Sequence, residues 1–301
     1  MAAGQDESII ALTSDATGSA SLGDFSAQLP EQFVECGIAE QDMVGIAAGM
    51  ASFGKKPFVC GPASFISARS MEQVKVDVAY SNMNVKLVGV SGGISYGALG
   101  ESHYSVQDFA TMRAIANLTV LAPADAVQTA ALTRTLVSYK GPVYMRLGRG
   151  KVPVIYDQKD CFEIGHAFRC MEGKDLTLIS AGEMVASAMQ AAEILKKGGI
   201  YARVLDMFTI KPLDEAAVIE AAAETGAIVT VEEHCVYGGL GSAVAQVVAE
   251  NRPVFMKCIG LPNEVLLCGS SEEMKKHYGL DAEGIAASAK ELLPKKGRFH
   301  V

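Results

Sequence analysis

Glu40 lies where a strand pattern changes into a helix pattern rich in small residues, in the segment Gly37-Ile-Ala-Glu-Gln41. Carboxylates are among the side chains that act as general acids and bases. A carboxylate in the first turn of a helix is also stabilised by the helix dipole, by roughly 0.3–1 kcal/mol. An isolated glutamate at this position is therefore explained as an ordinary first-turn acid, and Glu40 alone predicts no ligand.

Phe65 and His103 occupy two further transitions of this kind. Phe65 is predicted in the turn after a strand, where an apolar ring has no local reason to lie, although a lone phenylalanine is more often a core residue. His103 follows the glycine-rich loop Ser91-Gly-Gly-Ile-Ser-Tyr-Gly-Ala-Leu-Gly-Glu-Ser-His103. Ligands of open α/β sheets bind at the carboxyl ends of strands. Because all three features fall on such ends, together they predict a ligand site.

The elements that must position these side chains are short apolar strands alternating with helices, the pattern of parallel sheets covered by helices. In the first half, this pattern predicts the strands Ile9–Thr13, Lys56–Cys60, Val85–Val90, Thr119–Ala122 and Val143–Arg146, and the helices Ala39–Phe53, Ala68–Tyr80, Val106–Ala114 and Ala124–Tyr139. A second alternating set runs from 176 to 259. The predicted fold class is α/β, with two domains, each a mostly parallel sheet flanked by helices.

The length of 301 residues suits two hydrophobic cores, since single cores rarely grow much beyond about 250 residues. Between Gly148 and Gly173 the sequence carries Gly, Pro, Lys and Asp without sustained periodicity. We therefore predict a first domain at 1–155, a linker at 156–173 and a second domain at 174–301.

The overall charge and the cysteines exclude several functional classes. A net charge of −8 argues against a nucleic-acid or anionic-membrane partner, which would require a basic face. The most apolar stretch, Met43 to Phe53, is far shorter than the roughly 20 residues that span a bilayer. Asp6 and Glu7 lie where a signal peptide would be positive. Seven cysteines without a Cys-x-x-Cys pair indicate reduced thiols, and we expect a cytoplasmic protein without its own metal site.

The run Phe33-Val-Glu-Cys-Gly-Ile-Ala-Glu-Gln-Asp-Met-Val-Gly-Ile-Ala-Ala-Gly-Met50 closely resembles the pyrimidine-binding domain of the thiamine diphosphate-dependent transketolases. The likeness continues through 58–73, 118–125 and 141–149. The second half, including Val231-Glu-Glu-His-Cys-Val-Tyr-Gly-Gly-Leu-Gly-Ser242, looks like the C-terminal domain of that family. The resemblance covers nearly the whole chain and is closest to the separately encoded C-terminal subunit of a transketolase split into two chains.

This resemblance implies a transferase that moves a two-carbon ketol unit from a ketose donor to an acceptor. Glu40 matches the glutamate that hydrogen-bonds N1′ of the cofactor's aminopyrimidine ring and activates the cofactor. Phe65 matches the aromatic residue that stacks on that ring. His103 matches the histidine that contacts the substrate and helps to move protons on the donor and acceptor oxygens.

Four further positions receive roles from the same resemblance. Asp15 matches a strand-end aspartate near the cofactor, and a turn or cap residue is the alternative. Arg149 and Ser19 match positions that hold the sugar phosphate, a task that suits the fork of an arginine. Arg146 is expected to be a structural ion-pair residue.

Two substrate positions depart from the family pattern. Ser91 stands where the family usually has a histidine that contacts the substrate phosphate. Leu99 stands where an aspartate usually reads the sugar's C2 hydroxyl, and an unpaired buried hydroxyl costs roughly 1–3 kcal/mol. We therefore expect substrates other than the ordinary pentose phosphate pair. They would lack that hydroxyl, carry no phosphate or be delivered by a carrier protein.

The family holds the diphosphate and its divalent metal on a Gly-Asp-Gly motif, and no such motif occurs here, because Gly23-Asp24-Phe25 fails at the third position. The resemblance thus implies a partner, an N-terminal transketolase subunit that carries Gly-Asp-Gly. This partner would share thiamine diphosphate with the chain and hold Mg²⁺ or Ca²⁺. The expected assembly is a heterotetramer with two copies of each subunit, acting on a small sugar.

Two enzymatic alternatives are the β subunit of a 2-oxo acid dehydrogenase and a relative of deoxyxylulose-phosphate synthase. The stretches 117–125 and 146–149 favour transketolase over both. The alternative from another class is a non-catalytic partner subunit, against which the retention of Glu40, Phe65 and His103 argues. The acidic and histidine side chains at 232–234 are expected to be structural.

Overall fold

The computed structural model describes residues 2–296, and within them the chain forms two mostly parallel sheets. In chain order, the strands of the described residues are β1 (Ile9–Thr13), β2 (Phe33–Glu35), β3 (Lys56–Pro62), β4 (Lys86–Val90), β5 (Thr119–Leu121), β6 (Val143–Arg146), β7 (Phe168–Met171), β8 (Leu176–Ser180), β9 (Ala202–Asp206), β10 (Thr209–Lys211), β11 (Ala227–Cys235) and β12 (Phe255–Leu261). The first sheet has the order β10-β5-β6-β4-β3-β1-β2, and the second has the order β12-β11-β8-β9-β7.

Helices connect these strands and pack on the sheets. In the same part of the chain they are α1 (Gly23–Gln28), α2 (Glu40–Ser52), α3 (Met71–Gln73), α4 (Asp108–Ala114), α5 (Ala126–Ser138), α6 (Met184–Lys197), α7 (Glu215–Thr225), α8 (Leu240–Asn251), α9 (Ser271–His277) and α10 (Ala282–Leu292). Two π-helical segments, Phe65–Arg69 and Val74–Tyr80, flank α3. The predicted α/β fold class with two domains is confirmed.

The strand pairing brings the predicted site segments together. β1 pairs in parallel with β2 and β3, and β3 pairs in parallel with β4. The carboxyl ends of these four strands therefore lie side by side at one edge of the first sheet. Phe65 follows β3, Ser91 follows β4, and Glu40 follows β2.

The two domains share one hydrophobic core cluster. It contains Leu12 and Met43 of the first domain together with Leu205 and Val244 of the second, all at most 3% exposed. Strand β10 strengthens the connection, because it comes from the second half of the chain and pairs antiparallel with β5 of the first sheet. Contacts between the domains are thus part of the core.

Three short strands, the short helix α1 and one helix start differ from the sequence prediction. The strands β7 and β10 were not predicted, and β2 was expected only as the strand end before Glu40, without limits, because three or four residues are too few to show a period. Strand β7 lies within the segment predicted as linker and pairs antiparallel with β9. The helix predicted over 68–80 begins earlier, at Phe65, with a π-helical turn.

None of the helices within 2–296 combines the length and the apolar character that crossing a bilayer requires.

Candidate active site

Glu40 is the first residue of α2 and is only 2% exposed. The turn before it is fixed by Glu35 at the end of β2, whose Oε1 accepts hydrogen bonds from the backbone N–H groups of Gly37 (3.1 Å) and Asp15 (2.6 Å). Gly37 adopts a φ of +68°, a left-handed conformation that costs glycine little. A buried carboxylate is therefore presented at the strand-end edge by a locally rigid turn.

Arg69 is the hydrogen-bond and ion-pair partner of Glu40. Its Nη1 donates to Glu40 Oε2 at 2.6 Å, and its Cζ lies 4.2 Å from the centre of the Phe65 ring. Burial of a carboxylate is costly unless it is paired, and Arg69 supplies that pairing while its own side chain stays 44% exposed. The planar Arg69 guanidinium thus lies on the Phe65 ring and donates a hydrogen bond to Glu40.

His103 lies between two aromatic rings. Its ring centre is 5.5 Å from that of Phe65 and 5.4 Å from that of Tyr96, both in edge-on geometry. Arg149 continues the sequence of contacts, with its Cζ 5.0 Å from the centre of the Tyr96 ring. These contacts form a continuous series that begins next to Glu40 and ends at the predicted phosphate-binding arginine. We call it the stacked row; its members are Arg69, Phe65, His103, Tyr96 and Arg149.

The glycine-rich loop, residues 91–103, is held by the second domain. The buried N–H of Ile94 donates to Glu233 Oε1 at 2.8 Å, and Glu233 pairs with Lys275 at 2.9 Å. The hydroxyl of Tyr104 donates to the carbonyl oxygens of Gly97 (2.5 Å) and Leu267 (3.0 Å). The position of this loop therefore depends on residues more than a hundred positions away in the chain.

Two glycines of the loop are required by the closeness of this packing. A Cβ on Gly97 would lie 2.6 Å from the carbonyl oxygen of Gly269, and one on Gly100 would lie 2.6 Å from Cys268 Sγ. Both glycines also have positive φ, +41° and +73°. Larger residues would push the loop away from the second domain.

Arg146 forms an ion pair, as predicted, and belongs to a buried network below the loop. Its Nη1 lies 3.3 Å from Asp108 Oδ1, and its Nη2 donates to the carbonyl oxygen of Glu233 at 2.7 Å. Asp108 also accepts a hydrogen bond from the Tyr144 hydroxyl at 2.8 Å. The network ties β6 of the first domain to β11 of the second.

The segment 232–234 combines structural roles with contact to the loop. Glu232 accepts hydrogen bonds from the N–H groups of Leu240 and Gly241, and its burial raises its pKa to about 7. Burial lowers the pKa of His234 to about 4, so the ring is neutral at pH 7 and stacks on Phe109. Glu233, between them, contacts the glycine-rich loop.

The remaining predicted site residues lie at the same edge of the sheet. Ser91 is 1% exposed with a φ of +58°, whereas the Leu99 side chain is 55% exposed. Asp15 and Ser19 are exposed in the segment after β1. Within 2–296, no hydrogen bond or ring contact joins Asp15 or Ser19 to the stacked row.

Several buried hydroxyls around this edge have no hydrogen-bond partner within the part of the chain that the structure describes. They follow β1, β3 and β4 or lie in the next loop, and include Ser14, Ser64, Ser67, Ser91 and Ser105. Buried hydroxyls are normally paired. Their concentration marks this edge as a surface with unused hydrogen-bonding capacity.

Three residues that contact the predicted site were not found by sequence reasoning. Arg69 follows Phe65 by four positions, a spacing that places two side chains on one helix face, and this signal was available. Tyr96 carried no such signal, and Glu233 was expected to be structural without a predicted contact to the loop, because these contacts depend on the loop conformation and on domain packing. No group of three or more His, Cys, Asp or Glu residues within the described range could hold a metal ion.

Comparison with known proteins gives matches along most of the chain. The family described as "Transketolase, pyrimidine binding domain" matches residues 2–154, and "Transketolase, C-terminal domain" matches residues 165–285. A solved structure described as "Split gene transketolase, inactive beta4 tetramer" is similar, with a TM-score of 0.89 and 39% identity over 98% of this chain and 95% of that chain.

Two curated relatives are similar over nearly their full length. The chain is 54% identical to one of the subunits of the apulose-4-phosphate transketolase of Phocaeicola vulgatus, over 97% of this chain and 93% of the relative. It is 40% identical to the 6-deoxy-6-sulfo-D-fructose transketolase subunit SqwH of a Clostridium species, over 97% of this chain and 91% of the relative.

Proposed function

Because the chain belongs to the transketolase family, we propose that it is the pyrimidine-binding subunit of a split, thiamine diphosphate-dependent ketol transferase. The proposed reaction moves a two-carbon ketol unit from a ketose donor to an acceptor. The observation that carries the proposal is the contact of one planar cation, Arg69, with both Glu40 and Phe65. The two relatives are named as transketolase subunits and do not favour a 2-oxo acid dehydrogenase, a deoxyxylulose-phosphate synthase or a non-catalytic subunit.

The residues at the strand-end edge fit an aminopyrimidine ring. The Arg69 guanidinium is a planar group that lies on the Phe65 ring and donates N–H to Glu40. An aminopyrimidine requires the same two partners, an aromatic face and a carboxylate, so Arg69 acts as a stand-in that illustrates the geometry. The ring can use this position only if the guanidinium moves, and its 44% exposure leaves it a path to solvent.

When bound, thiamine diphosphate would supply a carbon nucleophile for addition to the ketose carbonyl. In this proposal Glu40 shares a proton with the ring nitrogen N1′, while Phe65 orients the ring by stacking, which can add about 0.5–1.5 kcal/mol beyond burial. Arg69 opposes this role while it is paired with Glu40, because its guanidinium then occupies the carboxylate oxygen Oε2. Its withdrawal would therefore accompany activation.

His103 is proposed to move protons on the donor and acceptor oxygens. Its Nδ1 lies 3.0 Å from the Ser102 hydroxyl, and the rings on either side restrict its orientation. Arg149 and Ser19 are proposed to hold the sugar phosphate, and Asp15 to lie near the cofactor. The exposed position of Arg149 suits contact with an arriving anion.

A partner subunit is proposed to hold the diphosphate on a Gly-Asp-Gly motif, with Mg²⁺ or Ca²⁺, in a heterotetramer with two copies of each chain. The absence of that motif from this sequence supports the division of labour. The neighbouring split-gene structure is described as an inactive β4 tetramer, which agrees with activity that needs both subunits. All seven cysteines are free, in keeping with a reducing cytoplasm.

The proposed substrates are sugars other than the ordinary pentose phosphate pair, because Ser91 and Leu99 replace the family's usual polar contacts. Both relatives are named for unusual sugars, apulose 4-phosphate and 6-deoxy-6-sulfo-D-fructose. We expect a panel containing these two donors to give higher turnover by the reconstituted enzyme than xylulose 5-phosphate with ribose 5-phosphate. Ordinary rates on the pentose phosphate pair would contradict this part of the proposal.

Replacement of Glu40 by Gln in the reconstituted complex tests the activation step. We expect turnover to fall by at least about a hundredfold, the scale of general acid–base effects, together with the rate of hydrogen–deuterium exchange at C2 of the cofactor thiazolium. Glu31→Gln, at an exposed carboxylate of the same region, serves as the control. Unchanged activity of the Glu40 variant would exclude the proposed role.

A further inference from the structure

We propose that Tyr96 is a positioning residue that holds Arg149 for a substrate phosphate and fixes one side of His103. This inference rests on the proposed function, in which Arg149 holds a sugar phosphate. Tyr96 contacts both side chains, with centre distances of 5.0 Å to the Arg149 guanidinium carbon and 5.4 Å to the His103 ring. No other described residue has a ring contact with both of these side chains.

The stacking gives Arg149 the orientation that phosphate binding requires. An exposed arginine has many rotamers, and fixing them on binding costs conformational free energy. The guanidinium of Arg149 stacks on one face of Tyr96, which leaves its N–H edge for two parallel hydrogen bonds to an anion. Arg149 and Ser95 also line a cleft of about 1090 Å³ whose remaining walls come mostly from the second domain, so open space borders the arginine.

The second contact of Tyr96 acts on the imidazole. Phe65 and Tyr96 approach His103 at interplanar angles of 62° and 74°. Removal of the Tyr96 ring would remove one of the two ring contacts of the imidazole and leave the contact with Phe65 in place. We therefore expect a smaller effect on proton transfer than on phosphate recognition.

The position of Tyr96 is itself fixed by the loop. Its carbonyl oxygen accepts the N–H of Leu99 at 2.9 Å, and the neighbouring N–H of Gly97 donates to the carbonyl oxygen of Ile94 at 2.9 Å. The carboxylate of Glu233 holds Ile94 in turn. The ring therefore stands on a backbone that the second domain holds in place.

The test compares Tyr96→Leu with Tyr96→Phe in the reconstituted holoenzyme. The donor is hydroxypyruvate, which has no phosphate, and the acceptors are glyceraldehyde 3-phosphate and glyceraldehyde. For Tyr96→Leu we expect the KM of the phosphorylated acceptor to rise about two- to fivefold, the range of a cation–π contact at an accessible site, and the KM of glyceraldehyde to stay within about 1.5-fold of the unmodified enzyme. Tyr96→Phe keeps the ring and should match the unmodified enzyme.

A double-mutant cycle keeps the test informative if one variant folds poorly. Arg149→Met should raise the same KM selectively, and the combination of Tyr96→Leu with Arg149→Met should raise it no further than Arg149→Met alone, because both changes remove the same contact. The exchange rate at C2 of the cofactor thiazolium should be unaltered in every variant. Tyr201→Leu, at a 48% exposed tyrosine of the second domain, is the matched control.

Equal KM changes for the two acceptors, or a Tyr96→Phe variant as impaired as Tyr96→Leu, would overturn the role of Tyr96 and leave the proposed function intact. A reconstituted complex of the unmodified chain that transfers no ketol unit from any donor would overturn both.

Discussion

The surface around Glu40 and the glycine-rich loop lie on neighbouring strand ends, but they are supported in different ways. Glu40, Phe65 and Arg69 are held by elements of the first domain, with Glu35 fixing the turn before α2. The loop depends on the second domain, through the Glu233 carboxylate and the close approach of residues 267–269.

This difference follows from what each segment contains. A strand end that leads into a helix fixes its side chains through backbone hydrogen bonds and a short turn. A loop with glycines at 92, 93, 97 and 100 has few side chains with which to hold itself, and its backbone freedom must be removed from outside. In the proposed function, cofactor activation would therefore rest on hydrogen bonds and ion pairs within the first domain, and substrate handling on contacts with both domains.

The largest expected effect comes from breaking the support between the domains. In Glu233→Ala the Ile94 N–H loses its acceptor and Lys275 loses a partner, so the loop should move. We expect kcat/KM to fall about 30- to 100-fold, the scale on which misplacement of reacting groups acts, with C2 exchange of the cofactor within about twofold of the unmodified enzyme. Steady-state kinetics and exchange measured by NMR check this, with exposed Glu264→Ala as the control. Parallel loss of exchange would contradict the separation of the two regions.

Leu99→Asp tests whether the glycine-rich loop determines which acceptor sugar is used. The new carboxylate would accept a hydrogen bond from a sugar hydroxyl, and we expect kcat/KM for ribose 5-phosphate to rise about three- to tenfold. This lies at the low end of the 1–3 kcal/mol range for an unpaired hydroxyl, because the position is 55% exposed and water can already reach it. Competition assays between ribose 5-phosphate and the best acceptor of a substrate panel measure the change. An equal gain for acceptors without that hydroxyl would contradict the explanation.

Arg69→Met tests the surface around Glu40. The variant lacks the cation that pairs with Glu40 and lies on Phe65, the two side chains proposed to bind the aminopyrimidine ring, so the Kd of thiamine diphosphate for the assembled complex should fall by a few-fold. The KM values of the substrates should not change. Isothermal titration calorimetry measures the Kd, and Lys75→Met, an exposed cation of the same helical region, is the control. Weaker cofactor binding would instead make Arg69 a cofactor contact.

The smallest effect concerns pH and the second domain. The pKa of Glu232 is raised to about 7, so between about pH 4.5 and 7 the folded state binds more protons than the unfolded state, and this group's contribution to stability falls as the pH rises. Glu232→Gln removes that contribution and should flatten the decline by at most about 1.4 kcal/mol per pH unit. The pKa of His234 is lowered to about 4, so over about pH 4 to 6.5 this group makes the stability rise with pH. Because His234 is present in the unmodified protein and in the variant, its contribution cancels in the comparison. Urea unfolding at pH 5 and pH 7 measures the slope, and an unchanged slope would refute the assignment.

Much of the fold was predictable because many strands and helices show a hydrophobic pattern in their own residues. The strands β1, β4 and β6 are mostly apolar runs, and their predicted limits agree with the structure to within one residue. Strands β7 and β10 were missed, and β2 was expected without limits, because pairing with neighbouring strands, and not their own sequence, makes them strands. The same holds for the π-helical turn at Phe65–Arg69, which no simple period predicts.

The sequence by itself determined the α/β class, the family and the side chains that could do chemistry, since these depend on residue type and on spacing along the chain. Only the tertiary structure decided that Arg69 contacts both Glu40 and Phe65. The same is true of the contacts of Tyr96 with His103 and Arg149, and of the hydrogen bond by which Glu233 holds the loop. The physical reason is that these contacts join segments whose separation in space is set by strand order and domain packing.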